Sequence, residues 1–318
     1  MSVPNSTYTE ALTAAIANYS SELADNISNN NALLSFITKK GNSEPFDGGT
    51  EILQNILYPG AMPSGWYTGS EQLDVSASDV LTTANFAIKQ AFTNVVFTGK
   101  DRIVNTGKAR MHDLFKSKIK GAESTLKNLI ASALFFSNTE NDGKSIGGLQ
   151  SLVTDVGTGV VGSIDSSTYT FWQNIVYDFS NNSTTASATS ILPAMNYCFN
   201  KTTIGTEKPD LVVAGIAYFN FFEAALQAQQ RFIKADEADA GFTGYKYKNA
   251  FVTFDPNCSD TRMYVLNTDY LHFRPSKNRN FVTDKEKMSV NQDAWVVPIY
   301  WAGNMTVSSR KRQAVIVA

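Results

Sequence analysis

The stretch TGKARMHDLFKSKIKGAESTLKNLIASALFFS, residues 106–137, sets apolar side chains at Met111, Leu114, Phe115, Ile119, Ala122, Leu126, Leu129, Ile130, Ala133 and Leu134. This is the 3.6-residue stripe of an amphipathic helix. Asn138 and then Asn141-Asp-Gly143 supply a stop. At 1.5 Å per residue the predicted helix spans about 45 Å, longer than the usual three to four turns. It has the proportions of a strut. Its other side carries Lys108, Arg110, Lys116, Lys118, Lys120 and Lys127, which reads as a solvated basic face.

Working upstream, residues 82–97 read as strand, ending in Asn94-Val-Val-Phe97 before the Thr98-Gly99 break. Residues 45–79 carry Gly48, Gly49, Pro59, Gly60, Pro63, Gly65 and Gly69 among Leu57-Tyr58 and Trp66-Tyr67, the composition of a long loop or hairpin. Loops longer than about 15 residues are uncommon in compact domains unless they bind something or are disordered. Trp66 and Tyr67 are therefore the candidate contact residues. At the start, Thr7-Tyr-Thr-Glu10 has the form of a capping box, and Tyr8, Leu12, Ile16, Tyr19, Leu23 and Ile27 follow at near-helical spacing. Asn29-Asn30-Asn31 separates this segment from a short apolar stretch, Leu33 to Ile37, that Gly41 ends.

Downstream, residues 145–265 alternate short signals. Thr168 to Phe179 and Ile191 to Phe199 read as helical, Asp210 to Gly215 as a buried strand, and Ile216 to Phe232 as a helix. Gly244 to Asp255 and Met263 to Leu266 read as antiparallel strands. Ala294 to Trp301, Asn304 to Ser308 and Gln313 to Val317 follow as strands. The apolar end, Ala314-Val-Ile-Val-Ala318, needs a cover, because an exposed apolar strand invites edge pairing. The fold class is α+β.

Composition narrows the function classes. Of 318 residues, 43% are hydrophobic and 18% charged, below the roughly one quarter charged of an average domain. A surface with few charges is easier to bury against neighbours. A net charge of −2 and pI near 5.8 argue against a dedicated nucleic-acid binder, so any contact with DNA is weak and local. Cys198 and Cys258 form no close-spaced pair and read as reduced thiols in a cytoplasmic setting. No Lys or Arg precedes Lys39, which does not fit a secretory start, and no apolar run has the length of a membrane span.

The catalytic motifs fail one by one. Gly157-Thr-Gly159-Val-Val-Gly162 matches a dinucleotide fingerprint with Asp178 at a plausible ribose distance, yet Ser163 to Thr168 is a string of turn formers where a helix should open. It reads as a glycine-rich surface loop. Asp142-Gly-Lys144-Ser145 lacks the glycine that a phosphate-binding loop needs at Asn138. His112 and His272 have no second histidine at metal-ligand spacing, and no nucleophile elbow occurs. No catalytic residue, metal ligand or cofactor is expected. The basic groups Arg274, Lys277 and Arg279, and Arg310, Lys311 and Arg312, fit phosphate contacts or salt bridges to neighbouring subunits.

Several stretches are similar to those of one family: Gly65-Trp-Tyr-Thr-Gly-Ser-Glu-Gln-Leu73, Phe97-Thr-Gly-Lys-Asp-Arg-Ile103, Ile146-Gly-Gly-Leu149, Lys208-Pro-Asp-Leu-Val-Val213, Tyr270-Leu-His-Phe-Arg-Pro275 and Asp293 to Gly303. Their order resembles the plan of tailed-phage major capsid proteins of the Hong Kong 97 type. The resemblance implies an N-terminal arm (1–45), an extended loop (46–78), a peripheral domain with a long spine helix (79–140), an axial domain (141–265), and returning peripheral strands with the C-terminus (266–318). It implies a virion protein, assembled in the host cytoplasm, whose copies form hexamers and pentamers of an icosahedral head around packaged DNA. A separate scaffolding protein, a portal and a decoration protein are the further partners it suggests. Some family members join a loop lysine to a neighbour's asparagine; residues 46–78 hold no lysine, and Lys89 lies beyond them, so the shell is expected to be noncovalent. The competing readings are an encapsulin-like compartment shell, a tail-tube subunit, and an α/β nucleotide-binding enzyme on the Gly157 to Gly162 loop.

Overall fold

The computed structural model describes residues 32–57, 63–74, 81–104, 108–228, 244–284, 287–288 and 291–318. The predicted arm helix over Tyr8 to Ile27 lies outside them. In chain order come helix α1 (Ala32–Lys39), strands β1 (Glu51–Leu57), β2 (Leu81–Ala87) and β3 (Lys89–Thr98), and the long helix α2 (Lys108–Ala133). Strands β4 (Val160–Val161), β5 (Ile164–Asp165) and β6 (Ile175–Asp178) precede α3 (Ile191–Thr202), β7 (Leu211–Ala214) and α4 (Ile216–Ala228). Then follow β8 (Gly244–Tyr247), β9 (Ala250–Phe254), β10 (Arg262–Leu266), β11 (Leu271–Pro275), β12 (Val282–Thr283), β13 (Lys287–Met288), β14 (Ala294–Val307) and β15 (Ala314–Val317).

Helix α2 has 26 residues, so it is about 39 Å long. Leu126, Ile130, Ala133 and Leu134 of the expected stripe are buried, each large side chain contributing about 1.5–3 kcal/mol relative to exposure. Leu129 is the exception at 52% exposed: on a helical wheel it falls about 40° outside the arc that those four define. The basic face is not wholly solvated either. Lys118 sits 5.1 Å above the ring of Phe97, donates to the Val96 carbonyl at 3.1 Å and pairs with Asp101 at 3.3 Å, so it fastens the helix to β3.

The helix ends at Ala133, four residues short of the expected end, and Asn138 and Asn141 take left-handed φ values of 72° and 54° in the turn beyond it. The chain then crosses the helix terminus at Ile146-Gly-Gly-Leu149. A Cβ on Gly148 would lie 2.4 Å from the Leu134 carbonyl oxygen and 2.5 Å from that of Ala133. Leu149 donates its N–H to that Leu134 carbonyl at 2.6 Å. Because the obstacle is backbone, Gly148→Ala is expected to cost about 2–3 kcal/mol, checked by chemical denaturation.

Two sheets organise the rest. In the first, β14 pairs antiparallel with β3 from Ala294↔Thr98 to Gly303↔Lys89, while β13, β12 and β11 line its other edge. The separate strands expected at 294–301 and 304–308 are thus one. Gly303 carries β14 through the point where a Cβ would strike the Arg274 carbonyl at 2.6 Å and the Trp301 ring at 2.7 Å. The strand expected at 82–97 is two, split at Ile88, with β2 pairing β1 and β3 pairing β14.

The second sheet has the order β6-β15-β10-β7-β9-β8 and is mixed, with β15–β6 and β7–β9 parallel. Alternation along its strands sends Val212, Ala214, Val252, Met263, Val265 and Ile316 into a core with α3 and α4. Leu211, Val213, Phe251, Tyr264, Leu266, Val315 and Val317 point the other way, into the core shared with the first sheet. One expectation fails here. Thr168 to Phe179 is not helical beyond one short turn at Thr170–Trp172, because Ile175–Asp178 pairs with β15 instead. The apolar end at 314–317 has the cover it was expected to need, being hydrogen-bonded between β6 and β10 and buried.

Candidate assembly surface

The β1–β2 hairpin is amphipathic by strand alternation. Registered pairs Ile52↔Phe86 and Gln54↔Ala84 face inward, where Ile52, Ile56, Ala84 and Phe86 pack with Val161 and Ile164. The opposite face presents Leu53 and the pair Leu57↔Leu81, each more than half exposed. Beyond these strands, Trp66 is fully exposed and Tyr67 63% exposed, with Leu73 also outside. Both contact residues expected from the sequence are thus displayed to solvent. Glu71 accepts from the Thr68 hydroxyl at 2.7 Å and its N–H at 3.4 Å, a local tie that shapes the tip.

The hairpin's root is held by the first basic group. Arg274 pairs with Glu44 at 2.5 Å and donates to Gln54 at 3.2 Å, and Lys277 pairs with Asp47 at 3.2 Å. Arg279 lies 5.1 Å over the Tyr300 ring and donates to Gln90 at 3.0 Å. These basic side chains therefore serve the subunit's own fold, which sequence could not show because their partners lie far along the chain. His272, next to Arg274 in β11, has a pKa lowered by burial and by the Arg274 charge, partly offset by Glu44. The folded state therefore favours neutral imidazole, and its contribution is present above the ordinary value of 6.5 and lost as pH falls below it. Thermal stability is expected to drop on acidification below that pH, and less so in His272→Gln, measured as Tm against pH.

The glycine-rich loop at 157–162 does structural work. Gly157, Gly159 and Gly162 all take positive φ, and the Gly162 carbonyl accepts the Asn85 N–H at 3.0 Å. A Cβ on Gly162 would lie 2.7 Å from the Ala84 methyl, so the loop clamps the hairpin from beneath. No helix opens there. Asp178 accepts from the N–H groups of Ser180 and Asn181 at 2.8 and 3.2 Å and shapes its own turn.

Under the loop lies Arg310, a member of the second basic group and fully buried. Its guanidinium donates to the Leu152 carbonyl at 2.7 Å, the Trp172 carbonyl at 2.9 Å, Ser166 at 3.2 Å, Thr154 at 3.0 Å and Asn174 at 2.7 Å. Arg312 pairs with Glu207 at 2.9 Å. Arg310 is thus a buried hub and not the phosphate or intersubunit contact that the sequence offered. Burial pushes its pKa down to about 10, which leaves it cationic at neutral pH. Cys198 and Cys258 are free and buried, and burial pushes the Cys198 thiol up to about 12. Among the described residues no group of acids, histidines and cysteines could hold a metal ion, and no helix is long and apolar enough to cross a membrane.

A second apolar surface lies on the first sheet, on the side of β3 opposite Val95 and Phe97. There Phe92 is 65% exposed and Val96 44%, with Val282 of β12 exposed in register with Tyr300 and Phe92. Apolar residues displayed on a rigid sheet, like those on the hairpin, are candidates for contact with another surface.

No protein-family model matches this chain, and no curated protein sequence is detectably similar. Solved structures are similar in fold. The capsid asymmetric unit of cyanophage A-1(L) superimposes with a TM-score of 0.63 at 15% identity, covering 99% of both chains. The capsid of a native GTA particle matches with a TM-score of 0.57 at 11% identity over 88% of this chain and 89% of that one. The holo-SrpI encapsulin complex of Synechococcus elongatus gives 0.56 at 8% identity over 86% and 83%. The fold is therefore that of the Hong Kong 97-type capsid proteins, and it extends over essentially the whole chain.

Proposed function

We propose that this chain is the major capsid subunit of a tailed phage, assembling into the hexamers and pentamers of an icosahedral head around DNA. The observation that supports it most is the whole-chain correspondence with a cyanophage capsid subunit. The displayed hairpin agrees, since Leu53, Leu57, Trp66, Tyr67 and Leu81 have no use in an isolated monomer. The role is assembly and not catalysis. The shell is noncovalent: the extended loop has no lysine, and Lys89 is engaged internally, donating to the Gly143 carbonyl. A separate scaffolding protein, a portal and a decoration protein complete this reading, as does assembly in the host cytoplasm.

Electron microscopy of the expressed chain, with and without a co-expressed scaffold, tests it: closed shells are expected, and tubes or rings would point to a tail component instead. Denaturing mass spectrometry of the particles should return single subunits, whereas Lys–Asn-linked ladders would overturn the noncovalent shell. The similarity to an encapsulin sustains one alternative, a compartment that packages enzymes. Nucleic acid inside the particles separates the phage head from that compartment.

A further inference from the structure

Between α3 and the β8–β9 turn lies an open depression of about 480 Å³, lined by Phe199, Asn200, Thr203, Lys208, Lys248 and Asn249. It contains two lysines and no carboxylate. The Lys248 ammonium is 2.5 Å from the Asn196 amide oxygen and 2.9 Å from that of Asn200, and it sits 4.7 Å above the Phe199 ring. Two of its three N–H donors thus meet neutral oxygens, and the charge faces the Phe199 and Tyr247 rings with no carboxylate beside it. Burial lowers its pKa, with no acidic side chain offsetting the loss.

A second observation concerns the backbone. Lys248 has φ 54°, the left-handed region that glycine or asparagine normally occupies in such a two-residue turn. Residues held in such conformations gather where a side chain must be placed in a particular way. Here the strained turn delivers a cation to the depression's wall. Lys208 lines the same depression without an ion pair among the described residues.

We propose that this depression is an anion site that takes a phosphate group of a small polyanion between Lys208 and Lys248. The amide N–H groups of Asn200 and Asn249 are further donors, while the Thr203 hydroxyl is engaged, donating to the Phe199 carbonyl at 2.7 Å. Two lysines lining one depression suit the several oxygens of a phosphate. A concave site with two lysines does not suit duplex DNA, which needs a run of phosphate contacts along a surface. The inference stands apart from the shell reading, since it rests only on this wall of the axial region.

The test is titration of the full-length chain with tripolyphosphate at fixed ionic strength, followed by calorimetry and thermal shift. Saturable binding is expected, weakened about tenfold in Lys208→Gln and in Lys248→Asn. Asparagine tolerates the left-handed turn, so Lys248→Asn should keep or raise Tm while losing the ligand. Lys120→Gln, on the exposed part of α2, should bind as the parent does. A response that sodium chloride reproduces, or one that both pocket variants retain, would overturn the site. So would duplex DNA binding more tightly than tripolyphosphate with the same dependence on Lys208 and Lys248, which would assign these lysines to a nucleic-acid track.

Discussion

Replacing Arg310 with methionine is expected to remove about 3–5 kcal/mol of stability, the largest loss of any single side chain outside the apolar cores. The guanidinium joins five acceptors from three segments: Leu152 and Thr154, Ser166 and Trp172, and Asn174 before β6. Without it, two buried carbonyls and the oxygens of Ser166, Thr154 and Asn174 lose a donor in a site that water does not reach, and each unmet group costs about 1–3 kcal/mol. Partial relaxation keeps the total below the sum. Lysine should not rescue, since three donors on a flexible stem cannot replace five in a planar fork. Urea denaturation of Arg310→Met and Arg310→Lys measures both losses. A change under about 1 kcal/mol would show that the segments hold one another without the hub.

Arg310 also marks where reading the sequence stopped. In Arg310-Lys-Arg312 nothing in the residue types says which cation is buried; that depends on a pocket made by residues some 140 to 160 positions earlier, since Asn174 and Leu152 lie 136 and 158 positions away. Local periodicity succeeded where one face decides the element. Helix α2 was legible from its stripe, and α3, α4 and the buried strand β7 fell where the sequence placed them. It failed at Thr168 to Phe179, where Tyr169, Trp172, Val176 and Phe179 imitate helical spacing. There the parallel pairing of Ile175–Asp178 with β15 won, a contact from the far end of the chain. The exposure of Trp66 and Tyr67 was legible because large aromatics in a run rich in glycine and proline have no local core to enter. The exposed row Phe92 and Val96 was missed, since alternation in β3 shows two faces but not which one the helix covers.

The double variant Trp66→Ala, Tyr67→Ala is expected to leave the subunit folded and to abolish particles at concentrations where the parent chain assembles. The folding half follows from exposure: a fully exposed Trp66 and a largely exposed Tyr67 give their own subunit almost no burial, so Tm should move by under about 2 °C. The assembly half follows from the same numbers read in the other direction. An aromatic buries roughly 150–250 Å² when it is covered, and anchors of this type cost about 2 kcal/mol or more each when truncated. Two per contact amount to about 4 kcal/mol, a factor of about a thousand in the affinity of one contact. Closing a ring repeats the contact at every subunit, so the loss compounds around each hexamer or pentamer. Light scattering against concentration, paired with circular dichroism of the unassembled subunit, reads the two halves separately. Particles forming normally would sink the contact role of the tip. The shell reading would then rest on the Leu53, Leu57 and Leu81 face of the hairpin and on the Phe92 surface of the sheet, and the same scattering assay applied to Leu57→Ser and Phe92→Ser would decide between them.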